Sequence, residues 1–206
     1  MAADPTPDLS DEQKARIATV KARLETYDDR AWSDILREAL EVREAWDHAA
    51  AELTAEEAPT GPRSDDPWGA NQIMNHVGGF FLGLAEQMQH MLDGQSADYD
   101  AFDQWQGDDL DLDTVRSGAI RGWDQYIERT IMASSGMADT TVMNARVWGA
   151  LSPKRVVAFA IGHAGGHVAQ MRETRGLTEG ENPADPAGQL GKKRRGEHLR
   201  PTEKPA

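Results

Sequence analysis

The sequence predicts an all-α protein built as a four-helix bundle. Apolar residues recur at steps of three and four in four long segments, as they do on the buried face of a helix. Alternating runs of β-branched and aromatic residues, which would indicate strands, are nearly absent. With 206 residues and 39% hydrophobic content, the chain can bury a core of domain size.

Ahead of the bundle, residues 1–27 are predicted to form an N-terminal helical extension. Its helix covers about residues 10–26, and Ser10 and Gln13 have the spacing of a capping box at its start. The helix is either a separate docking helix or a continuation of the first bundle helix, and the sequence leaves both alternatives open.

The bundle itself is predicted over residues 28–177. Its first helix carries the longest apolar stripe of the chain, which runs over more than five turns. That stripe consists of Trp32, Ile35, Ala39, Val42, Trp46, Ala49 and Leu53. A connector rich in proline and glycine, residues 58–64, then separates this helix from the next one.

The second bundle helix is expected to start near Asp66-Pro67, with aspartate as N-cap and proline at the first helical position. Asp93-Gly94 supplies its end, and a crossover loop is expected over residues 95–110. Its inward stripe is Ile73, His76, Val77, Phe80, Leu84, Met88 and Met91.

The third helix is predicted over about residues 111–133, and residues 138–151 form a second long connection. Ser152-Pro153 begins the fourth helix, which continues to about residue 175. The inward stripes of the two helices are Leu112, Val115, Ala119, Trp123, Tyr126 and Thr130, and Val156, Ala160, His163, His167 and Met171. Residues 178–206, rich in proline, glycine and basic side chains, are predicted to be a disordered tail.

Composition excludes several classes of function. A net charge of −13 argues against nucleic-acid binding and against adsorption to anionic lipid. The absence of cysteine excludes disulfides, thiolate nucleophiles and cysteine zinc sites. Neither a secretory signal nor an apolar window of membrane-spanning length is found, so we expect a cytoplasmic protein without a membrane partner.

The histidines carry the sharpest functional signal. His163 and His167 are four residues apart and therefore share one helix face, and His76 lies on the apolar face of another helix. A lone histidine on an apolar face is usually a packed, hydrogen-bonded residue. Two on one face need a compensating partner, because burying two charged rings together is unfavourable. A cation held by three neutral rings supplies that partner, so we predict a metal site.

Glycines surround these histidines, as Gly78-Gly79 after His76 and as Gly165-Gly166 between the other two. Glycine inside a helix destabilises it by up to about 1 kcal/mol relative to alanine, so it needs a reason. Close helix packing is one reason, and space for a ligand beside the metal is the other. Of the remaining histidines, His48 and His90 lie beside their stripes and His198 lies in the tail.

Two motifs resemble those of the DinB/YfiT-like family. Trp68-Gly69-Ala70-Asn71-Gln72-Ile73-Met74-Asn75-His76 resembles the start of that family's second helix, in which a histidine follows eight residues after tryptophan. Trp148-Gly149-Ala150-Leu151-Ser152-Pro153, followed by His163-x3-His167-x2-Gln170, resembles its fourth helix. The resemblance covers about residues 30–176.

This resemblance implies a bundle of up-down-down-up type that forms a homodimer. It also implies a divalent metal, zinc or nickel, bound by the matching residues His76, His163 and His167. Family members include transferases and isomerases that use the thiols bacillithiol or mycothiol, and metal-dependent hydrolases. Because this chain has no cysteine, thiol chemistry would need a low-molecular-weight thiol as cosubstrate.

We therefore expect a metal-dependent transferase, isomerase or hydrolase acting on a small molecule, with the metal activating water or a thiol. Asn75 and Gln170 are candidates to orient a ring or a substrate, with an ordinary role at a helix boundary as the alternative. Tyr126 and Asp124 are candidate proton donors or acceptors, although an inward tyrosine usually only packs. The alternatives are a non-catalytic ligand-binding or metal-sensing bundle, and a structural or dimerisation module.

Overall fold

The computed structural model describes residues 10–55, 69–99, 111–136, 141–145 and 147–174. Helices make up 76% of these residues, which confirms the all-α prediction. The elements in chain order are α1 (Asp11–Glu25), α2 (Trp32–Ala51), α3 (Ala70–Leu92), β1 (Ala97–Tyr99), α4 (Leu112–Ser134), β2 (Met143–Ala145), β3 (Gly149–Leu151) and α5 (Pro153–Thr174). Within the described ranges, each helix is too short or too polar to cross a bilayer.

The core lies between helices α2 to α5, which contact one another in the pairs α2–α4, α2–α5, α3–α4 and α3–α5. The apolar stripes predicted from the sequence face this core. In α2, for example, every member of the stripe after Trp32 is buried, and Trp32 itself is half-buried against the core. Between α3 and α4, the rings of Phe81 and Trp123 stack with their centroids 3.9 Å apart.

Helix α1 ends at Glu25 and α2 begins at Trp32, so the N-terminal helix is not a continuation of the first bundle helix. Its capping box is present: Gln13 N–H donates to Ser10 Oγ at 3.2 Å, and Ser10 N–H donates to Gln13 Oε1 at 2.8 Å. The helix ends at Glu25 and contacts α5. Leu24 and Tyr27 join the core, which explains why this charged helix stays attached.

The turn between α1 and α2 is bound to the start of α5 through Asp28. Ser152 Oγ donates to the Asp28 carboxylate at 2.8 Å, and two guanidinium nitrogens of Arg155 donate to it as well. Lys154 Nζ donates to the backbone carbonyls of Asp28 and Arg30 at 2.9 and 2.8 Å. The hydrogen bond from Arg155, followed by that from Ser152, holds the pKa of Asp28 below its usual value.

The predicted start of α3 is wrong by a few residues. Gly69, not Asp66, is the N-cap, and its backbone N–H donates to the side-chain carbonyl of Gln72 at 2.6 Å. The first free N–H is thus satisfied from within the helix by Gln72. At the other end, Gly94 has a φ of +77°, as expected for the glycine that terminates a helix.

A small sheet forms where only connections were predicted. Strand β1 pairs with β2 in parallel, with Ala97 opposite Met143, and β2 pairs with β3 antiparallel, with Met143 opposite Leu151. Each strand has three residues, which is too short to produce a recognisable alternation in the sequence. The two predicted connections are therefore partly strand.

Several predictions concern residues outside the described ranges. These are the disordered tail at 178–206, the proposed N-cap at Asp66 and the motif tryptophan Trp68. The division into residues 1–27, 28–177 and 178–206 stays a prediction.

Helices α3 and α4 approach until their backbones touch. A Cβ atom added to Gly122 would lie 2.6 Å from the carbonyl oxygen of Gly78, and one added to Gly78 would lie 3.0 Å from the backbone nitrogen of Ala119. Close helix packing thus accounts for the glycine at position 78. No larger residue fits at Gly122 without moving one of the two helices.

Replacing Gly122 by alanine is expected to destabilise the protein by about 2 kcal/mol, because the added methyl group meets backbone atoms that cannot rotate away. Gly118→Ala is the matched control: it lies one turn earlier on α4, where an added Cβ meets nothing within 4 Å. That substitution should stabilise the helix by up to about 1 kcal/mol. Urea unfolding of the two variants measures the difference, and equal stabilities would contradict the close contact.

Asp28→Asn is expected to destabilise the protein by about 1 kcal/mol at neutral pH, since it removes the charge that Arg155 binds. The folded-state pKa of Asp28 is lowered, so its contribution is full above the unfolded-state pKa and is lost as the pH falls through the folded-state value. The stabilities of wild type and variant should therefore converge below about pH 4. Urea unfolding between pH 2.5 and pH 8 tests this, with exposed Glu86→Gln as the control expected to show no comparable loss at neutral pH.

Candidate metal centre

The three predicted histidines meet at one point between α3 and α5. His163 Nε2 lies 3.0 Å from Nε2 of His76 and 3.2 Å from Nε2 of His167. The potential ligand atoms of all three rings lie within 4.8 Å of one another, which is close enough to bind a single metal ion. The residues named from the sequence are therefore brought together.

Helical spacing and the contact between two helices produce this arrangement. His163 and His167 lie one turn apart on α5, and their ring centroids are 4.6 Å apart. The ring of His76 on α3 lies 5.2 and 5.1 Å from these two. His167 is fully buried, whereas His76 and His163 are half-buried, so the cluster reaches from the core towards solvent.

Gln170 fixes the tautomer of the buried ring. Its side-chain Oε1 lies 2.8 Å from Nδ1 of His167, one helical turn earlier, and both residues are buried. Because a carbonyl oxygen only accepts hydrogen bonds, the Nδ1 of His167 carries the proton. The Nε2 of a neutral ring then presents a lone pair to the cluster, and this is the tautomer that binds a metal through Nε2.

The two short nitrogen–nitrogen contacts share one atom, because His163 Nε2 lies 3.0 Å from Nε2 of His76 and 3.2 Å from Nε2 of His167. A proton on His163 Nε2 would have to serve both neighbours. A cation can accept a lone pair from each of the three nitrogens at once.

The distances also suit a metal ion. Two imidazole nitrogens about 2.1 Å from one ion are separated by roughly 3.0 Å at right angles and about 3.4 Å in a tetrahedron. The observed separations of 3.0 and 3.2 Å lie in this range. Three nitrogen ligands leave room for at least one further ligand, which is typical of catalytic rather than structural zinc sites.

A phenyl ring packs on one face of the His163 imidazole. Phe80, one turn after His76 on α3, stacks on the His163 ring with centroids 4.1 Å apart and planes at 28°. Phe80 is buried, so the stacking limits rotation of the imidazole and covers one of its faces. The sequence pattern predicts Phe80 only as a core residue. Nothing in its spacing distinguishes a ring that stacks on a histidine from other core aromatic rings.

The remaining candidates have different surroundings. Asn75 is half-buried, directly before His76 on α3. Asp124 is exposed and forms an ion pair with Arg43 at 3.1 Å. Tyr126 is fully buried, and its hydroxyl lies 3.4 Å from the backbone carbonyl oxygen of Val156.

The surroundings of Tyr126 and Asp124 are accounted for without a role in proton transfer. Burial raises the pKa of Tyr126 well above its usual value, which keeps the phenol protonated. Asp124 is held at the surface by Arg43. Packing is therefore the better interpretation of Tyr126, as one of the two alternatives predicted. His48 and His90 are exposed and do not belong to the three-histidine cluster.

Comparison with known proteins adds no family assignment. No family model matches this sequence, and no match is found among curated proteins or among solved structures. The resemblance to the DinB/YfiT-like family accordingly rests on the two sequence motifs alone.

Gln170→Ala is expected to weaken divalent metal binding by about 10- to 100-fold, because the proton on His167 Nδ1 loses its acceptor and the ring its orientation. Gln125→Ala, an exposed glutamine on α4, is the matched control and should bind metal like the wild type. Isothermal titration with Zn²⁺ measures both affinities. Unchanged affinity in Gln170→Ala would show that the hydrogen bond does not support the site.

Proposed function

We propose that this protein is a three-histidine metalloprotein of the DinB-like type and acts as a metal-dependent enzyme on a small molecule. The observation that carries the proposal is the convergence of three imidazole nitrogens, from two helices, at separations of 3.0 and 3.2 Å. Such a set of nitrogens, with Nδ1 of one ring bonded to Gln170, matches the donors of a three-histidine metal site.

The helix contacts support the bundle that this proposal includes. Each of α2 and α3 contacts both α4 and α5, which is compatible with four helices around one core. We propose that they have the up-down-down-up order of the DinB-like bundle, with α1 as an addition. The order of the two motifs along the chain supports the same assignment.

The three imidazole nitrogens favour a metal ion between the hard and the soft class. Neutral imidazoles suit zinc, nickel, copper and iron, whereas magnesium and calcium prefer oxygen ligands. Among the described residues, the cluster includes three histidines and no carboxylate. We propose zinc or nickel, bound by His76, His163 and His167.

When bound, the metal would supply a Lewis acid that lowers the pKa of a coordinated water or thiol towards neutrality. The chain's own residues hold this centre in shape. Gln170 keeps the proton of His167 on Nδ1, and Phe80 fixes the ring plane of His163 and shields it from water. A transferase or isomerase that uses a low-molecular-weight thiol, and a hydrolase, are both compatible with this chemistry.

A non-catalytic role is the alternative, and one observation favours it. The two side chains considered for proton transfer, Asp124 and Tyr126, are bound to Arg43 and packed in the core, respectively. A metal-sensing or ligand-binding bundle would need the same three histidines but no acid–base residue. Product formation by the metal-loaded protein distinguishes an enzyme from a sensor.

We also propose that the protein forms a homodimer. Exposed apolar side chains on α2 and α4 support an interface between copies: Leu40, Ile120 and Ile131 are 51%, 41% and 50% exposed. Arg43 on α2 pairs with Asp124 on α4, so the two helices lie side by side on this surface.

A predicted cytoplasmic location is compatible with the proposed use of a small-molecule thiol.

The purified protein should contain about one divalent metal ion per chain after expression with zinc and nickel, as measured by elemental analysis. His163→Ala is expected to lower affinity by more than about 100-fold, beyond what loss of an outer hydrogen bond causes, because it removes the central ligand. His90→Ala is the matched control, since this histidine is exposed near the end of the same helix that carries His76. Equal metal content in wild type and His163→Ala, with both folded by circular dichroism, would refute the proposal.

A further inference from the structure

The two helix segments that carry the histidines have no charged side chain. Residues 70–85 of α3 and residues 156–171 of α5 include no aspartate, glutamate, lysine or arginine, although 28% of the whole chain is charged. Charged residues return only at Glu86 and Arg172, and both are exposed. The helix walls beside the cluster are therefore electrically neutral.

Small residues leave the histidines open along one strip between α3 and α5. On α5, Gly162 and Gly166 flank His163 and share its half-buried face, and on α3 Gly79 lies one turn after His76 and is also half-buried. A glycine has no side chain to cover a neighbouring ring. These three glycines therefore add no side chain that could cover the half-buried rings of His76 and His163.

Aromatic side chains border the cluster at one end of this strip. Phe159, one turn before His163 on α5, has its ring centroid 6.2 Å from the imidazole, with the planes at 29°. The ring of Trp148 lies 5.6 Å from that of Phe159. Both side chains are half-buried, so they present a continuous aromatic surface that begins at His163 and is open to contact.

The charge balance of the centre favours an anion. Three neutral imidazoles leave the two positive charges of a bound metal uncompensated, and no carboxylate belongs to the cluster within the described part of the chain. Attraction between opposite charges is strong where water is partly excluded. Arg155, at the start of α5, is already bound to Asp28, so an anionic ligand would be recognised through the metal.

From these features we infer that the site takes a ligand with one anionic metal-binding group on an uncharged aromatic or apolar body. The anionic group would bind the metal, and the body would lie against Phe159 and Trp148. A further charge on the body would be disfavoured, because the neutral helix walls offer no group to pair with it. This inference rests on the proposed metal site.

Hydroxamates test the inference, since they share one anionic chelating group and differ only in the body. Cobalt(II) is added first, and its visible spectrum reports whether the three histidines bind the ion. Benzohydroxamate, acetohydroxamate and 4-carboxybenzohydroxamate are then titrated into the cobalt-loaded protein. We expect benzohydroxamate to bind at least about tenfold more tightly than either of the others, since tenfold is the effect of a modest apolar contact.

Two variants assign the preference to the aromatic surface. Phe159→Leu and Trp148→Leu retain an apolar side chain but remove the ring, and each should reduce the benzohydroxamate preference by about threefold or more while leaving cobalt affinity unchanged. Ile131→Ala, an exposed apolar truncation on α4, is the control and should keep the full preference. Circular dichroism checks that each variant is folded, and the comparison of ligands on the wild type does not depend on any variant.

The outcomes separate this inference from the function on which it rests. A wild-type protein that gives no cobalt spectrum overturns the proposed metal site and this inference together. A cobalt-loaded protein that binds benzohydroxamate no better than acetohydroxamate, or binds the 4-carboxy compound equally well, overturns the inference alone. A preference that persists in both leucine variants overturns the role of the two aromatic side chains.

Discussion

The backbone contact between α3 and α4 is the constraint on which the candidate centre depends. Gly78 touches Gly122 through its carbonyl group, so the position of α3 is set by two main chains rather than by adaptable side chains. His76 lies two residues before Gly78, about 200° around the helix, and therefore faces the other neighbour, α5. A shift of α3 would change the distance from His76 to His163 directly, and metal ligation tolerates only small changes of that distance.

The chemistry of the centre follows from where protons can be placed. Gln170 forms a hydrogen bond with Nδ1 of His167. The Nε2 atom of His167 then faces Nε2 of His163, so the proton position on His167 limits where the other rings can carry their protons. A neutral imidazole carries one proton, so three Nε2 atoms that face one another compete for few protons. The same three atoms are satisfied together by a cation, so the geometry that is unfavourable for ordinary core histidines is favourable for ligands.

The sequence predicted those parts of the molecule that depend on helical periodicity. The stripes of α2 to α5, the capping box of Ser10 and the pairing of His163 with His167 on one face all follow from spacing along a helix. The small sheet was not predicted, because three-residue strands are stabilised by pairing with distant segments. The start of α3 was misplaced because Gln72 satisfies the backbone of Gly69, a contact that spacing alone does not favour over the aspartate–proline signal. The stacking of Phe80 on His163 joins two helices, so no local pattern reports it.

Charged side chains lie at the two ends of α5 and are absent from residues 156–171 between them. Arg155 and Lys154 bind Asp28 and the neighbouring carbonyls of the α1–α2 turn, which fixes the rotation of α5 about its axis. Arg155 and His163 are separated by eight residues, so they lie about 12 Å apart along the helix axis and about 80° apart around it. A helix held at its first turn therefore presents the His163 imidazole at a defined place, and the segment beyond that turn adds no charged side chain beside the three histidines. Helix α1 therefore helps to orient His163 although it carries none of the three histidines, because the turn that follows it contains Asp28.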